Sequence, residues 1–276
     1  MIFQYMLAPI EDTSDNTLRT LCHRYGADVT FTEMARFDSL ARKNASTWRK
    51  IEIVDSTPAY VQIVGQDEQK LKRFLSMYQP PEAFLGFNFN LGCPSPALTS
   101  HGLGCAMIKR IAKTKKLVQI VKSHGYNCSI KMRLGLNKFE KEKKVYLHLL
   151  NAVDADFFVI HSRIASDTYE QPADFSVYPQ CVASGRRIIA NGDITTQEHV
   201  AQLRKMGVQG IMIGRPAVRD PTIFNKLKDL PVPDVEQVIK EYLALAEQFN
   251  SRFKYRKNVL KRLGKPVGSI YEHVYG

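Results

Sequence analysis

The chain has 276 residues, 44% of them hydrophobic, which is enough to fill one large barrel or two ordinary domains. Its 39 Lys and Arg against 27 Asp and Glu give a formal charge of +12. That balance favours a polyanionic partner such as nucleic acid over an acidic small molecule. The five cysteines, Cys22, Cys93, Cys105, Cys128 and Cys181, are odd in number and form no Cys-x-x-Cys pair or His-Cys cluster, which argues against both disulfides and zinc.

The opening residues lack a basic leader and break at Pro9, and no apolar run approaches membrane-spanning length. A soluble, cytoplasmic monomer with no membrane contact is therefore expected. In chain order, short runs rich in β-branched and aromatic residues predict eight strands, over 3–8, 29–34, 60–64, 87–91, 129–133, 157–161, 187–190 and 210–213. Amphipathic stretches over 17–25, 70–78, 115–124, 141–153 and 198–206 predict helices between them. Strands alternating with helices pair in parallel, and eight such units imply an α/β fold closed into a (β/α)8 TIM barrel over residues 1–230.

Beyond Pro231 and Pro233 the pattern changes. Asp234 and Gln237 form a capping pair for a new helix, and Val235, Val238, Ile239, Tyr242, Ala246 and Phe249 recur at helical spacing. Arg252, Lys254, Arg256, Lys257, Lys261, Arg262 and Lys265 follow with no acidic residue among them. Residues 231–276 are expected to form a small helical region on the barrel. Its basic run is either a nucleic-acid surface or a solvated helix face.

Chemistry in such a barrel belongs at the C-terminal ends of the strands. Cys93, in Asn90-Leu-Gly-Cys-Pro94, follows an alternating run and sits where strand becomes loop. The loop continues through Ser95, Pro96 and Thr99 to Cys105 and reads as a flexible polar stretch able to close over a substrate. An ordinary thiol, with a pKa near 8.5, is mostly protonated at neutral pH and can donate its proton to a developing carbanion. A nucleophilic role would require a base, for which His101 and His161 are available. Cys22, Cys128 and Cys181 read as buried structural residues, and Cys105 as ambiguous.

Lys131 lies between Ile130 and Met132 in a buried-looking strand, where an unpaired ammonium is costly. It needs a carboxylate, or the electron-rich pyrimidine edge of a flavin at the mouth. Asn191-Gly-Asp193 ends strand seven and Gly214-Arg215 ends strand eight. Loops at these two positions are frequent phosphate sites in barrels, and here they offer backbone N–H groups and a guanidinium.

Together these stretches resemble the dihydrouridine synthase family, flavoenzymes that reduce specific uridines in transfer RNA. The resemblance runs through Ala8-Pro-Ile, Thr32-Glu-Met34, Tyr60-Val-Gln-Ile63, Asn90-Leu-Gly-Cys-Pro94 with Gly102-Leu-Gly104, and Lys131-Met-Arg-Leu-Gly135. It continues through His161-Ser-Arg163 with Tyr169 and Ala173-Asp174, Ile189-Ala-Asn-Gly-Asp-Ile194, and Met212-Ile-Gly-Arg215, in that order. It implies flavin mononucleotide (FMN), reduced by NADPH, with Pro9, Ile10, Glu11, Gln62, Lys131 and His161 around the ring. Asn191, Gly192, Asp193, Gly214 and Arg215 would hold the phosphate end.

Asn90, Arg133 and Arg163 would contact the substrate base. The flavin would pass a hydride to C6 of the uracil and Cys93 would protonate C5, with tRNA as the partner and no metal. Ser95-Pro96-Ala97 lacks the lysine usual after Cys-Pro, Ser162 replaces a common glycine, Ile164 a common threonine and Cys105 a small residue, and the C-terminal part is short for the family. These departures bear on how tRNA docks. A flavin barrel acting on a free pyrimidine, like dihydroorotate dehydrogenases, and an RNA-binding barrel without turnover are the competing readings.

Overall fold

The structure is a computed structural model that describes residues 2–264. Nine strands form one parallel sheet: β1 (Gln4–Leu7), β2 (Thr30–Phe31), β3 (Ala35–Arg36), β4 (Ala59–Val64), β5 (Phe84–Leu91), β6 (Cys128–Met132), β7 (Phe158–His161), β8 (Ile188–Asn191) and β9 (Gly210–Ile213). The order is β1-β9-β8-β7-β6-β5-β4-β2, with β3 paired to the far end of β4. A bridge between Met6 and Val29 closes the ring, supported by hydrogen bonds from Leu7 N to Val29 O and from Asp28 N to Tyr5 O. Since β2 and β3 share one position, the barrel has eight staves and is the expected TIM barrel.

Side chains alternate along each stave, as the two-residue period requires. Met6, Val29, Phe31, Tyr60, Phe157, Val159, Ile189 and Met212 pack together inside the barrel. Their neighbours Leu7, Val61, Phe87, Ile130, Ile160, Ile188 and Ile211 face out into the larger core beneath the helices. The interior is therefore filled at its lower end and carries polar groups only above that plug.

The strand expected over 29–34 runs only over Thr30–Phe31, next to the Val29 bridge, and resumes at Ala35–Arg36. Its break coincides with Glu33, whose carboxylate accepts from the Asp12 N–H and from the Tyr255 hydroxyl. The helix expected over 141–153 is two helices, Lys138–Glu142 and Val145–Ala152, interrupted at Lys144, which adopts a left-handed φ of 52°. Helices Phe37–Ala41 and Ala45–Lys50, between β3 and β4, are too short for a periodicity argument to reveal. The helix expected over 115–124 begins earlier, at Ile111.

The C-terminal region forms helices Val235–Gln248 and Phe253–Leu260. Asp234 caps the first by accepting from Gln237 N at 2.8 Å, while the Gln237 side chain donates to Glu241 instead of reaching back. Val238, Tyr242, Leu245, Ala246 and Val259 belong to the same apolar core as Leu18 and Leu21 of helix Asn16–Arg24. Lys265 and residues 266–276 of the expected helical region lie outside the described residues. No helix among the described residues is long and apolar enough to cross a membrane.

Candidate active site at the barrel mouth

A ladder of neutral polar side chains lies above the apolar plug. Gln62 Nε2 donates to Asn88 Oδ1 at 2.8 Å, Asn88 Nδ2 to Ser129 Oγ at 2.9 Å, and Asn90 Nδ2 back to Gln62 Oε1 at 2.9 Å. The register produces this, because Gln62 stands opposite Asn88, and Asn88 opposite Ser129, on neighbouring strands. Buried amides must be paired, and here they pair one another. Asn88 and Ser129 were not among the expected site residues, although the Asn-Phe-Asn alternation in β5 puts Asn88 on the face of Asn90.

Asn90 also fixes the thiol loop. Its Oδ1 accepts from Gly92 N at 3.1 Å and Cys93 N at 2.9 Å. The half-buried Cys93 side chain packs beside Val64, Leu98 and Leu103. The loop that follows, expected as a flexible polar stretch, contains a helical turn at Pro96–Thr99 and a 3-10 turn at Gly104–Met107. Cys105 N donates to Cys93 O at 2.9 Å, and a Cβ on Gly104 (φ 57°) would come within 2.5 Å of that same oxygen. Cys105 is buried, donating its thiol to Gly135 O, and Cys22, Cys128 and Cys181 are buried too. Burial pushes the Cys93 thiol pKa up and Glu11 adds to this, while Ser95 N–H, Arg133 and Lys131 pull the other way.

On the neighbouring stave Lys131, in register with Asn90, donates from Nζ to Asn191 Oδ1 at 2.9 Å, and Asn191 Nδ2 donates to Met212 O at 2.8 Å. Burial, and then the charge of Arg133, lower the Lys131 pKa to about 7. No carboxylate pairs with this ammonium among the described residues. His161, paired in register with Asn191, has its pKa driven well below the ordinary value by burial and by Lys131, Arg133, Arg163 and Arg215. The ring is neutral at physiological pH, and because Arg163 Nη1 donates to its Nε2 at 3.1 Å, the proton resides on Nδ1.

Arg133 is buried and donates from Nη1 to Ile164 O at 2.6 Å. The Arg163 side chain is only 1% exposed. It donates from Nε to Gln171 O and from Nη2 to Asp193, so its guanidinium is turned toward the protein. Asp193, at φ 50°, also accepts from Ala173 N. Gly192, at φ 114°, is packed so closely that a Cβ would come within 2.9 Å of His161 and 3.0 Å of Ala173. Gly214 caps the short helix Arg215–Arg219, and the Arg215 guanidinium lies 3.2 Å from the centroid of the Tyr169 ring.

Pro9 and Ile10 lie half-buried at the rim after β1, where Ile10 N donates to Ser14 Oγ at 2.8 Å. Glu11 is exposed and pairs with Lys50. Of the basic run, Arg256 caps helix Val235–Gln248 through Ser251 O and Ala246 O, and Lys254 pairs with Asp12. Arg252, Lys257 and Lys261 are exposed.

The family model for dihydrouridine synthase matches residues 6–274. The chain belongs to the dihydrouridine synthase family. It is 29% identical to a probable tRNA-dihydrouridine synthase of Helicobacter pylori, over 90% of this chain and 76% of that protein. It is also 29% identical to tRNA-dihydrouridine synthase B of Pseudomonas putida, over 88% and 76% of the two chains. Probable tRNA-dihydrouridine synthase 2 of Bacillus subtilis is 28% identical, over 89% and 79%. Members of the family are flavoenzymes that use NADPH.

Proposed function

We propose that this chain reduces uridine in tRNA to 5,6-dihydrouridine, using FMN seated in the barrel mouth and NADPH as reductant. The observation that carries the reading is the meeting, on adjacent staves at one mouth, of a lysine that no carboxylate among the described residues pairs (Lys131) and the Cys93 thiol, whose loop is held by Asn90, the register partner of Lys131. The residues fit the cofactor. Lys131, Gln62 and neutral His161 would hold the pyrimidine edge of the ring, with Pro9 and Ile10 along its side and Glu11 at the outer rim. The backbone at Asn191, Gly192 and Asp193, with Gly214 and the Arg215 guanidinium, would take the phosphate end. The bound flavin supplies the hydride for C6 of the uracil.

The rest falls to the protein's own side chains. Burial keeps Cys93 protonated until negative charge develops at C5, and the S–H proton then moves to that carbon. The C5–C6 double bond is thereby saturated, and the thiolate left behind lies near Arg133 and Lys131, both of which favour it. Asn90 fixes the loop that holds the thiol and offers an amide toward the base, with Arg133 beside it. Arg163 acts as a positioning residue, holding His161 in one tautomer and Asp193 in its turn. The target nucleotide must leave the RNA fold to reach this depth, and the exposed Arg252, Lys257 and Lys261 would hold flanking phosphates.

The test is reconstitution with FMN, followed by NADPH-dependent reduction of an unmodified tRNA transcript read by mass spectrometry. A gain of about 2 mass units on uridine is expected, from the two hydrogens added. Flavin binding without dihydrouridine in any tRNA would overturn the reading.

A further inference from the structure

Phe139 is 64% exposed, on a segment after β6 that also carries Lys138, Lys141, Lys143 and Lys144. Three features anchor this segment. Asn137 caps helix Lys138–Glu142 by accepting from Glu140 N, and buried Glu140 accepts from Leu136 N at 2.7 Å and pairs with Lys109. Lys141 is pinned to Asp174 at 2.7 Å. Lys138, Lys143 and Lys144 are exposed and form no ion pair among the described residues, and Lys143 Nζ lies 5.7 Å from the Phe139 ring centroid. The one exposed carboxylate on the segment is Glu142.

Its place in the barrel gives this cluster meaning. β6 carries Lys131, and the segment leaves β6 at the end that forms the mouth. Counting round the closed ring, β6 is four staves from β1 in either direction. The helix Phe253–Leu260 sits at the β1 side, tied to Asp12 and Glu33, and bears the 79% exposed Phe253 beside Arg252 and Lys257. The mouth is thus flanked on two opposite sides by an exposed phenyl ring among lysines or arginines. A ring with cations around it suits stacked bases and phosphates.

We propose that the Lys138–Lys144 segment is a second tRNA-binding surface, with Phe139 stacking on an unpaired base and Lys138, Lys143 and Lys144 contacting the adjoining backbone, so that the RNA is gripped on both sides of the recessed uridine. This rests on tRNA being the substrate. The experiment titrates the FMN-loaded enzyme against an unmodified tRNA transcript at several salt concentrations, for wild type, Phe139→Ala, Phe139→Trp, a triple Lys138→Gln, Lys143→Gln, Lys144→Gln variant and an Arg252→Gln, Lys257→Gln, Lys261→Gln variant.

Phe139→Ala is expected to weaken binding roughly tenfold, with Phe139→Trp near wild type. The triple lysine variant is expected to flatten the salt slope by about 0.7 to 0.9 for each phosphate it no longer neutralises. Unchanged affinity and slope in both the Phe139→Ala and triple lysine variants, with weaker binding only in the variant on the β1 side, would overturn the second surface and leave the enzymatic reading standing. Wild-type enzyme that does not bind tRNA would overturn both.

Discussion

Lys131 and Asn191 are joined across β7 by a 2.9 Å hydrogen bond that links the β6 and β8 walls of the mouth. The Lys131 pKa falls from the ordinary lysine value of 10.5 to about 7. Between those values the unfolded chain binds more protons at this site than the folded one, so stability contributed here rises with pH. Apoprotein is expected to gain stability relative to Lys131→Met as pH is raised from about 7 toward about 10, measured by denaturant midpoint. Equal pH dependence in the two proteins would contradict the depressed value. Lys131→Met should also release flavin, read as a fall in visible absorbance after gel filtration.

For Cys93 the direction is opposite. Burial holds the thiol above its ordinary pKa, so in the proposed acid role the protonated form persists through neutral and mildly alkaline pH. Cys93→Ala is expected to retain flavin and NADPH oxidation while slowing uridine reduction on tRNA by roughly 10²- to 10⁴-fold. Unaltered dihydrouridine formation would remove Cys93 from that role.

Gly192 has a φ that side chains rarely adopt and a neighbour, His161, that a Cβ would meet at 2.9 Å. Gly192→Ala should push the imidazole aside and weaken FMN retention more than it lowers the melting temperature. Isothermal titration of apoprotein with FMN reads the first effect and calorimetry the second.

Tyr255 donates its hydroxyl to the buried Glu33 carboxylate, which also accepts from the Asp12 N–H. Removing one donor from a buried carboxylate costs about 1 to 3 kcal/mol. Tyr255→Phe is therefore expected to lower stability by that amount in urea. Glu33 already has its pKa raised by burial, and removing the Tyr255 bond raises it further. The deficit of Tyr255→Phe should then shrink as the pH falls and Glu33 becomes protonated in both proteins.

The periodicity of the strands made the barrel legible in advance, because alternation of in and out is written directly in runs such as Gly86-Phe-Asn-Phe-Asn-Leu91. The break in the second stave was not, since Glu33 leaves the ladder for partners at Asp12 and Tyr255, the latter 222 residues away. The break between helices Lys138–Glu142 and Val145–Ala152 was hidden too: Lys143 and Lys144 are sound helix formers, yet Lys144 adopts a left-handed φ of 52°. Cys93, Lys131, His161 and Asn191 could be named from strand ends, whereas the commitment of Arg163 to Gln171, His161 and Asp193 depends on a loop whose path periodicity does not describe.

The ladder of Gln62, Asn88, Asn90 and Ser129 beneath the thiol consists wholly of amides and a hydroxyl, none of which ionises at physiological pH. Nothing in that floor can replenish a spent acid. In the proposed cycle the sulfur recovers its hydrogen from above that floor, from a protonated Lys131 or from water entering the mouth, and the net proton comes from solvent through the opening that RNA covers, so recharging is coupled to departure of the product.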